Sequence, residues 1–322
     1  MRKINKMHSS PLSEDQKNKL KGLEPALRLA ASRKDYEQAK KITQEIQSIL
    51  RPTGHETRLM QAKNYLFETA LETGKIDTAI SGFVGVRQKT AKSTRLYLEA
   101  TTLIAICYLR KKDLKSAKPY MIEAFKYEKN IKSPSKRTEF KIGLAKKFDE
   151  EALLSSLATG STTAFNIDQV QYDAGELIRT KHEDEILEML GSSVPESALD
   201  FTKEVHKEAT YFLSHEEKLL LPSPESFGQK KKLGKGILSA FQSVIWKSLC
   251  DKDSEIYKMW FTNGIQAVLD KKYLTVAITG ALSGLSIGTY AIAVYLTALL
   301  VKLGIEVFCE TYTPTSIMKM RK

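Results

Sequence analysis

The sequence predicts an all-α protein: a helical repeat array, then a small helical region, then an apolar helical C-terminus. Three observations lead there. Gly (17) and Pro (9) are sparse among 322 residues, too few to punctuate a sandwich or barrel of short strands. Apolar residues recur at helical spacing, as in Leu96, Ala100, Leu103, Ile104, Cys107 and Tyr108, which marks one buried face. A short pattern also returns three times: Lys34-Asp35-Tyr36-Glu37-Gln38-Ala39, Gly74-Lys75-Ile76-Asp77-Thr78-Ala79 and Lys112-Asp113-Leu114-Lys115-Ser116-Ala117. Each places a large apolar residue three positions before an Ala. The Ala positions are 40 and then 38 residues apart, a period that belongs to stacked helical hairpins.

In chain order the expected organisation is as follows. Residues 1–12 form a flexible N-terminus and 13–158 the helical array, closed by a capping helix from Ser135 to Leu157. Residues 165–221 form a small acidic region, 222–236 a basic linker, and 237–322 the amphipathic and apolar C-terminal helices. Ala158-Thr159-Gly160-Ser161-Thr162-Thr163 reads as a linker and Gly191–Ser197 as a second break. Within the acidic region, Asp173–Leu190 and Asp200–Leu221 each read as one helix, the second ended by Pro222-Ser223-Pro224.

Charge is divided along the chain. The net charge is +12; residues 1–150 hold 32 basic and 17 acidic side chains, whereas 151–200 hold 2 and 10. A basic half could meet nucleic acid, anionic lipid or an acidic partner protein, or simply clothe helices with solvated lysines. Residues Met1 to Lys21 are charged throughout and contain no apolar run of signal-peptide length. The expectation is a cytoplasmic N-terminal region with reduced thiols. Three cysteines without a CxxC exclude a disulfide scaffold and a Cys₄ zinc site.

The repeated segments resemble the tetratricopeptide repeat. The third unit offers Ile104-Ala105 and Tyr108, then Leu114, Ala117, Met121 and Ala124. The second offers Leu66-Phe67, Gly74, Ile76, Ala79 and Phe83, and the first Tyr36 and Ala39. The resemblance covers about 11–158 and departs from the family in its longer period and missing Trp. It implies a groove, lined by the first helix of each pair, that binds a peptide or protein. By repeat position Gln61, Asn64, Glu68, Glu99, Thr102 and Arg110 would face it. The Lys and Asn cluster with which chaperone-binding members grip a terminal carboxylate is not matched.

Motifs for chemistry fail on inspection. Gly228 to Gly236 has one residue too many for a phosphate loop and no hydroxyl after Lys235. His55-Glu56 and His215-Glu216 begin zincin-like strings, but Leu59 and Leu219 stand where the second His is needed. Gly284-Leu285-Ser286-Ile287-Gly288 spells a nucleophile elbow, yet no His follows it. His206 and His215, nine apart, cannot share a metal on one helix, and His182 sits exposed among acids. The expectation is a protein without catalytic residues, metal or cofactor.

The C-terminal segment carries the stronger signal. From Tyr273 through Val301 no residue is charged, and about 20 apolar residues cross a bilayer. Gly280, Gly284 and Gly288 fall on one helix face where a second helix could pack, in a membrane or in an oligomer. The alternative is two buried helices joined at Ser286-Ile287-Gly288-Thr289. Upstream, Lys230, Lys231, Lys232 and Lys235 precede an amphipathic helix, Ile237–Cys250, whose apolar face is Leu238, Phe241, Ile245 and Leu249 with Trp246 beside it. A basic run feeding such a helix suits an anionic surface. Leu249-Cys250-Asp251, the helices around Gly288, and Gly304-Ile305-Glu306-Val307-Phe308-Cys309-Glu310 resemble the tails of uncharacterised bacterial proteins in defence-type gene clusters, which implies no particular activity.

Three functions follow as expectations. The first is a non-enzymatic protein-binding scaffold or membrane-associated effector, cytoplasmic at its N-terminus and attached to the inner or plasma membrane through the tail. The second is a soluble accessory subunit of a larger complex that uses the apolar helices as a buried interface. The third is a nucleic-acid-binding adaptor working through the basic half.

Overall fold

The computed structural model describes residues 9–158, 164–221, 228–252, 254, 256–258 and 272–312. They form α-helices joined by short turns, with no strand among them. The chain divides into two compact units. The first comprises residues up to Cys107 together with Pro119–Ile131, and the second comprises Tyr108–Lys118 and everything from Lys132 onward.

In the first unit α1 (Glu14–Ser32), α2 (Tyr36–Leu50), α3 (Glu56–Glu72) and α4 (Ile76–Lys89) pack as sequential neighbours, α1 also reaching α3. A capping box starts α1, with Ser13 Oγ accepting from the Gln16 amide and Gln16 Oε1 from the Ser13 amide. Ala39, Ile42, Ile46 and Leu50 bury one stripe of α2, as their i, i+3, i+4 spacing demands. Where α3 and α4 cross, a methyl group on Gly82 would collide with the Phe67 ring. Phe67 meets Phe83 edge-on at 6.0 Å between centroids.

The three repeated segments share one turn. Lys34, Gly74 and Lys112 all have a left-handed backbone, with φ of 57°, 76° and 57°. The next residue's amide then reaches back to the preceding helix: Asp35 to the Ala30 carbonyl, Lys75 to Ala70, Asp113 to Tyr108. This Schellman-type closure satisfies carbonyls that the helix end leaves open. Asp35 and Asp113 go on to cap the following helix, accepting from the Gln38 and Ser116 amides. Ala39, Ala79 and Ala117 are completely buried. The same turn thus recurs at the intervals of the sequence pattern.

Arg95–Arg110 forms α5 and Leu114–Lys126 forms α6. Within the first unit Arg87, Tyr97 and Glu123 tie α4, α5 and α6 together. The Tyr97 hydroxyl donates to Glu123 at 2.5 Å and accepts from Arg87 at 2.7 Å, while Arg87 also pairs with Glu123. The Arg87 guanidinium lies 4.9 Å from the Tyr97 ring centre and 5.0 Å from that of Tyr120.

The second unit is built on α7 (Pro134–Leu157), close to the expected capping helix, with α10 (Glu196–Thr210), α11 (His215–Leu219) and α12 (Lys230–Leu249) packed on it. The acidic region breaks where the sequence reading did not break it. Asp173–Leu190 is two helices, α8 (Ile167–Thr180) and α9 (Glu183–Ser192). His182 begins the second, its amide donating to the Glu185 carboxylate at 2.9 Å. Asp200–Leu221 is likewise divided, because Ser214 and Glu217 form a capping box that starts α11. The linkers expected at 159–163 and at Pro222-Ser223-Pro224 lie outside the described residues.

The apolar run is also two helices, α13 (Tyr273–Gly284) and α14 (Tyr290–Leu303), followed by α15 (Ile305–Thr311). Ser286, at φ 56°, and Ile287 form the turn between the first two. The expected basic linker is not a linker at its end, since Lys230 to Lys235 already form the first turns of α12. Leu233, Ile237, Ala240, Phe241, Ile245 and Leu249 are its buried stripe. They share a core with Leu187 and Leu190 of α9, Leu274 and Ile278 of α13, and Leu296 and Leu300 of α14.

Two helices approach most closely at α9 and α12. A methyl on Gly234 would fall inside the envelope of the Leu187 carbonyl, and one on Gly191 inside that of the Lys230 carbonyl. Gly280 and Gly284, by contrast, are exposed and would meet nothing. Gly288 sits in the turn after α13. Close glycine packing within the unit occurs between α9 and α12, and among the described residues nothing fills the Gly280–Gly284 face.

These environments predict opposite outcomes for one substitution. Gly191→Ala and Gly234→Ala should each lower stability by about 1–3 kcal/mol, because backbone rather than a yielding side chain must move. Gly280→Ala should raise it by roughly 0.5–1 kcal/mol through helix propensity alone. Thermal melting of the three variants measures both.

Candidate functional site

The residues expected to line a groove separate by depth. Gln61 on α3 is exposed and Glu68 half-buried. Asn64, Glu99 and Thr102 are buried, none more than 2% exposed. Asn64 Nδ2 donates to Glu99 Oε2 at 3.4 Å, so these two form a buried polar contact inside the first unit and present no open surface. Arg110 is equally engaged: its guanidinium grips Glu151 through Nε at 2.8 Å and Nη2 at 3.1 Å. The expected groove is corrected on this point. Repeat position gives the angle at which a side chain leaves its helix, but not how far neighbouring elements cover it.

The partly exposed side chains of α3 carry both signs, Glu56, Glu68 and Glu72 beside Arg58 and Lys63. Lys63 is half-buried, and no ion pair or hydrogen bond of its amine is present among the described residues. Burial pushes its pKa down, and repulsion from Arg51 at the end of α2 and Lys89 at the end of α4 adds to this against the attraction of Glu56. Glu56 is itself paired with Lys89 at 3.1 Å. Arg51 and Lys89 are exposed. These three cations and one carboxylate form an electrostatic notch, and a further anion there would relieve the repulsion.

The second unit holds its charges inside. On α7, Glu151 is 3% exposed and accepts from Arg110 and, at 2.9 Å, from Lys147. Burial alone would raise the Glu151 carboxyl, but the two cations outweigh it and hold its pKa at about 2. Lys147 shows the reciprocal effect: burial opposes its charge, and Glu151 with Glu150 raises its pKa all the same. Beside them His206 Nδ1 meets Asp149 at 2.7 Å. Burial pushes Asp149 up despite that partner, and pushes Glu150 up despite Lys147 and Lys146. His206 is thus part of a helix-to-helix contact between α10 and α7, and His215 lies on a separate helix. No group of side chains with metal-ligand geometry occurs among the described residues.

The four lysines at the start of α12 have different surroundings. Lys231 is half-buried and bonded to Asp184 of α9 at 2.5 Å, whereas Lys230, Lys232 and Lys235 are exposed. Cations at a helix N-terminus oppose its dipole, and the acidic first turn of α9 offsets them. Lys230 also borders a cleft of about 540 Å³ along α9, with Glu185, Glu188 and Met189 on one side and Ala291 and Tyr295 of α14 on the other.

Cys250 and Cys309 are joined in a disulfide that links the end of α12 to α15, 59 residues apart in sequence. Cys107 is buried and stands outside the disulfide. The sequence reading takes three cysteines without a CxxC to exclude a disulfide scaffold; one bridge forms all the same, because the fold brings two of them together whatever their spacing. In the chain-entropy account a bridge closing so long a loop is worth about 4 kcal/mol.

No protein-family model, no curated protein and no solved structure matches the chain.

The opposed shifts on α7 give a pH-dependent prediction. Glu151 is more acidic folded than at its ordinary 4.5. Its contribution is therefore complete above that value and lost as pH falls toward 2. Asp149 and Glu150 are raised, so theirs is complete below the ordinary carboxylate range and lost as pH climbs through their folded pKa. Glu151→Gln should cost about 3–5 kcal/mol at neutral pH by leaving Arg110 and Lys147 uncompensated. Glu150→Gln should cost nothing there. Urea unfolding of both variants from pH 3 to pH 8 resolves the two signs.

Proposed function

We propose that the protein is a non-catalytic helical scaffold whose first unit binds an acidic segment of a partner protein. The observation that carries this reading is the recurring turn at Lys34, Gly74 and Lys112 with a buried Ala five residues after each. Within the first unit the hairpins α1–α2 and α3–α4 pack on one another, and stacked hairpins offer a surface whose uses are predominantly recognition. The notch of Arg51, Lys63 and Lys89, with exposed Gln61 on the same helix as Lys63, is the part of that surface with a charge preference. A carboxylate-bearing peptide supplies what it lacks.

A second reading, attachment to a membrane, draws on the C-terminus. Among the described residues no single helix is long and apolar enough to cross a bilayer, but α14 and α15 together meet that test while bent by 84°. The packing of α14 against α8 and α9 supports the scaffold reading instead. Washing membranes with carbonate separates the two: the scaffold reading expects the chain in the soluble fraction.

The binding surface is tested with a fluorescent oligo-glutamate peptide. The parent chain should bind it with an affinity that falls as salt rises. Arg51→Glu combined with Lys63→Glu should weaken binding by at least about tenfold, the effect of roughly 1.4 kcal/mol, without lowering the melting temperature. Equal binding by parent and variant would remove the notch from the proposal. Tighter binding of duplex DNA with a steep salt slope would favour the nucleic-acid adaptor.

A further inference from the structure

We propose that the Cys250–Cys309 disulfide is a reducible latch that holds α15 bent away from α14, and that a dithiol of the thioredoxin kind opens it. α15 is a lightly secured element of its unit. It has seven residues, too few for a helix that stands alone. It packs on α14 and α12, and only Ile305 and Phe308 are buried in doing so. Glu306, Val307 and Glu310 face outward. At its start Gly304, with φ 84°, is the sole residue between two helices set 84° apart. A glycine in that conformation is a hinge that can close again into helix. The bridge fastens the far end of this short arm to α12, which is independently held by α7, α9 and α13. Cutting it therefore frees α15 while the core beneath keeps its own packing.

The exchange is balanced with a dithiol as the only co-reactant. A thiolate of the reductant attacks Cys309 Sγ, which is half-buried and the more accessible of the pair, Cys250 being 6% exposed. The sulfur–sulfur bond breaks, Cys250 leaves as thiolate and takes a proton, and a mixed disulfide joins Cys309 to the reductant. The reductant's second thiolate then displaces Cys309, which takes the second proton. Two electrons and two protons enter the protein, and the reductant departs as its own disulfide. Cys107 cannot intercept the exchange because it is buried. The opened arm exposes Ile305 and Phe308 and leaves Gly304 free to extend α14.

The test uses the full chain, air-oxidised, with dithiothreitol as the dithiol. Alkylation in denaturant should modify one cysteine before reduction and all three after it. Hydrogen exchange across 305–311 should quicken by at least about tenfold on reduction, while 187–191 and 230–237 keep their protection, and reoxidation should restore the slow rate. Cys309→Ser should show the fast rate with or without reductant, its helical circular dichroism unchanged. Three alkylated cysteines before reduction, or unchanged exchange at 305–311, would overturn the proposal. So would protection lost equally in α9 and α12, since the bridge would then be a staple for the whole unit.

Discussion

Backbone meets backbone where α9 crosses α12, and the second unit is arranged around that contact. Two helices that touch through Gly191 and Gly234 leave no room for side chains between them, so the residues on either side must interlock. Leu187, Leu190, Leu233 and Ile237 do so and open the core that α13 and α14 complete. The crossing also sets the charges, because it brings the acidic start of α9 beside lysines that a helix N-terminus would otherwise repel.

Interior charge follows a different logic in the same unit. A buried carboxylate is tolerated when cations reach it from two elements, as Arg110 and Lys147 reach Glu151. Such a pair adds little over apolar residues of the same volume, but it is costly to break, which makes it a device for fixing register. Lys118 with Glu208 and Lys141 with Glu217 repeat this bonding between neighbouring elements nearer the surface. The excess of acid in 151–200 is thus partly spent within the unit, where Lys231 meets Asp184 and Lys272 meets Asp168.

The local features of this fold were legible in the sequence, and the long-range ones were not. The three turns could be read because Lys34, Gly74 and Lys112 are followed at fixed distance by a small residue, and the hairpin at Ser286 was one of two readings of the apolar run. Asn64, Glu99 and Thr102 were misjudged because a helical wheel has no information about cover. Spacing by four shows that Gly280 and Gly284 share a face, which is open among the described residues, whereas Gly288, placed on it by the same spacing, lies in the turn. Gly234 looked like a fragment of a phosphate loop until α9 was beside it. The candidate notch at Lys63 was invisible because it joins the ends of α2 and α4 to the middle of α3.

The sequence separation of contacts differs sharply between the units. Helices α1 to α4 find their partners among immediate neighbours, so each hairpin of the first unit can collapse as it leaves the ribosome. Helix α8 cannot do the same. Gln171 waits for Thr275, 104 residues later, and Asp173 for Tyr290, 117 residues later. Synthesis at about 5–20 residues per second leaves α8 without its apolar cover for several seconds. Throughout that interval the face of Val170 and Ala174 is open to chaperones, or to the same face on neighbouring nascent chains. The late arrival of α14 makes the second unit the part of this protein whose yield depends on how crowded its own translation is.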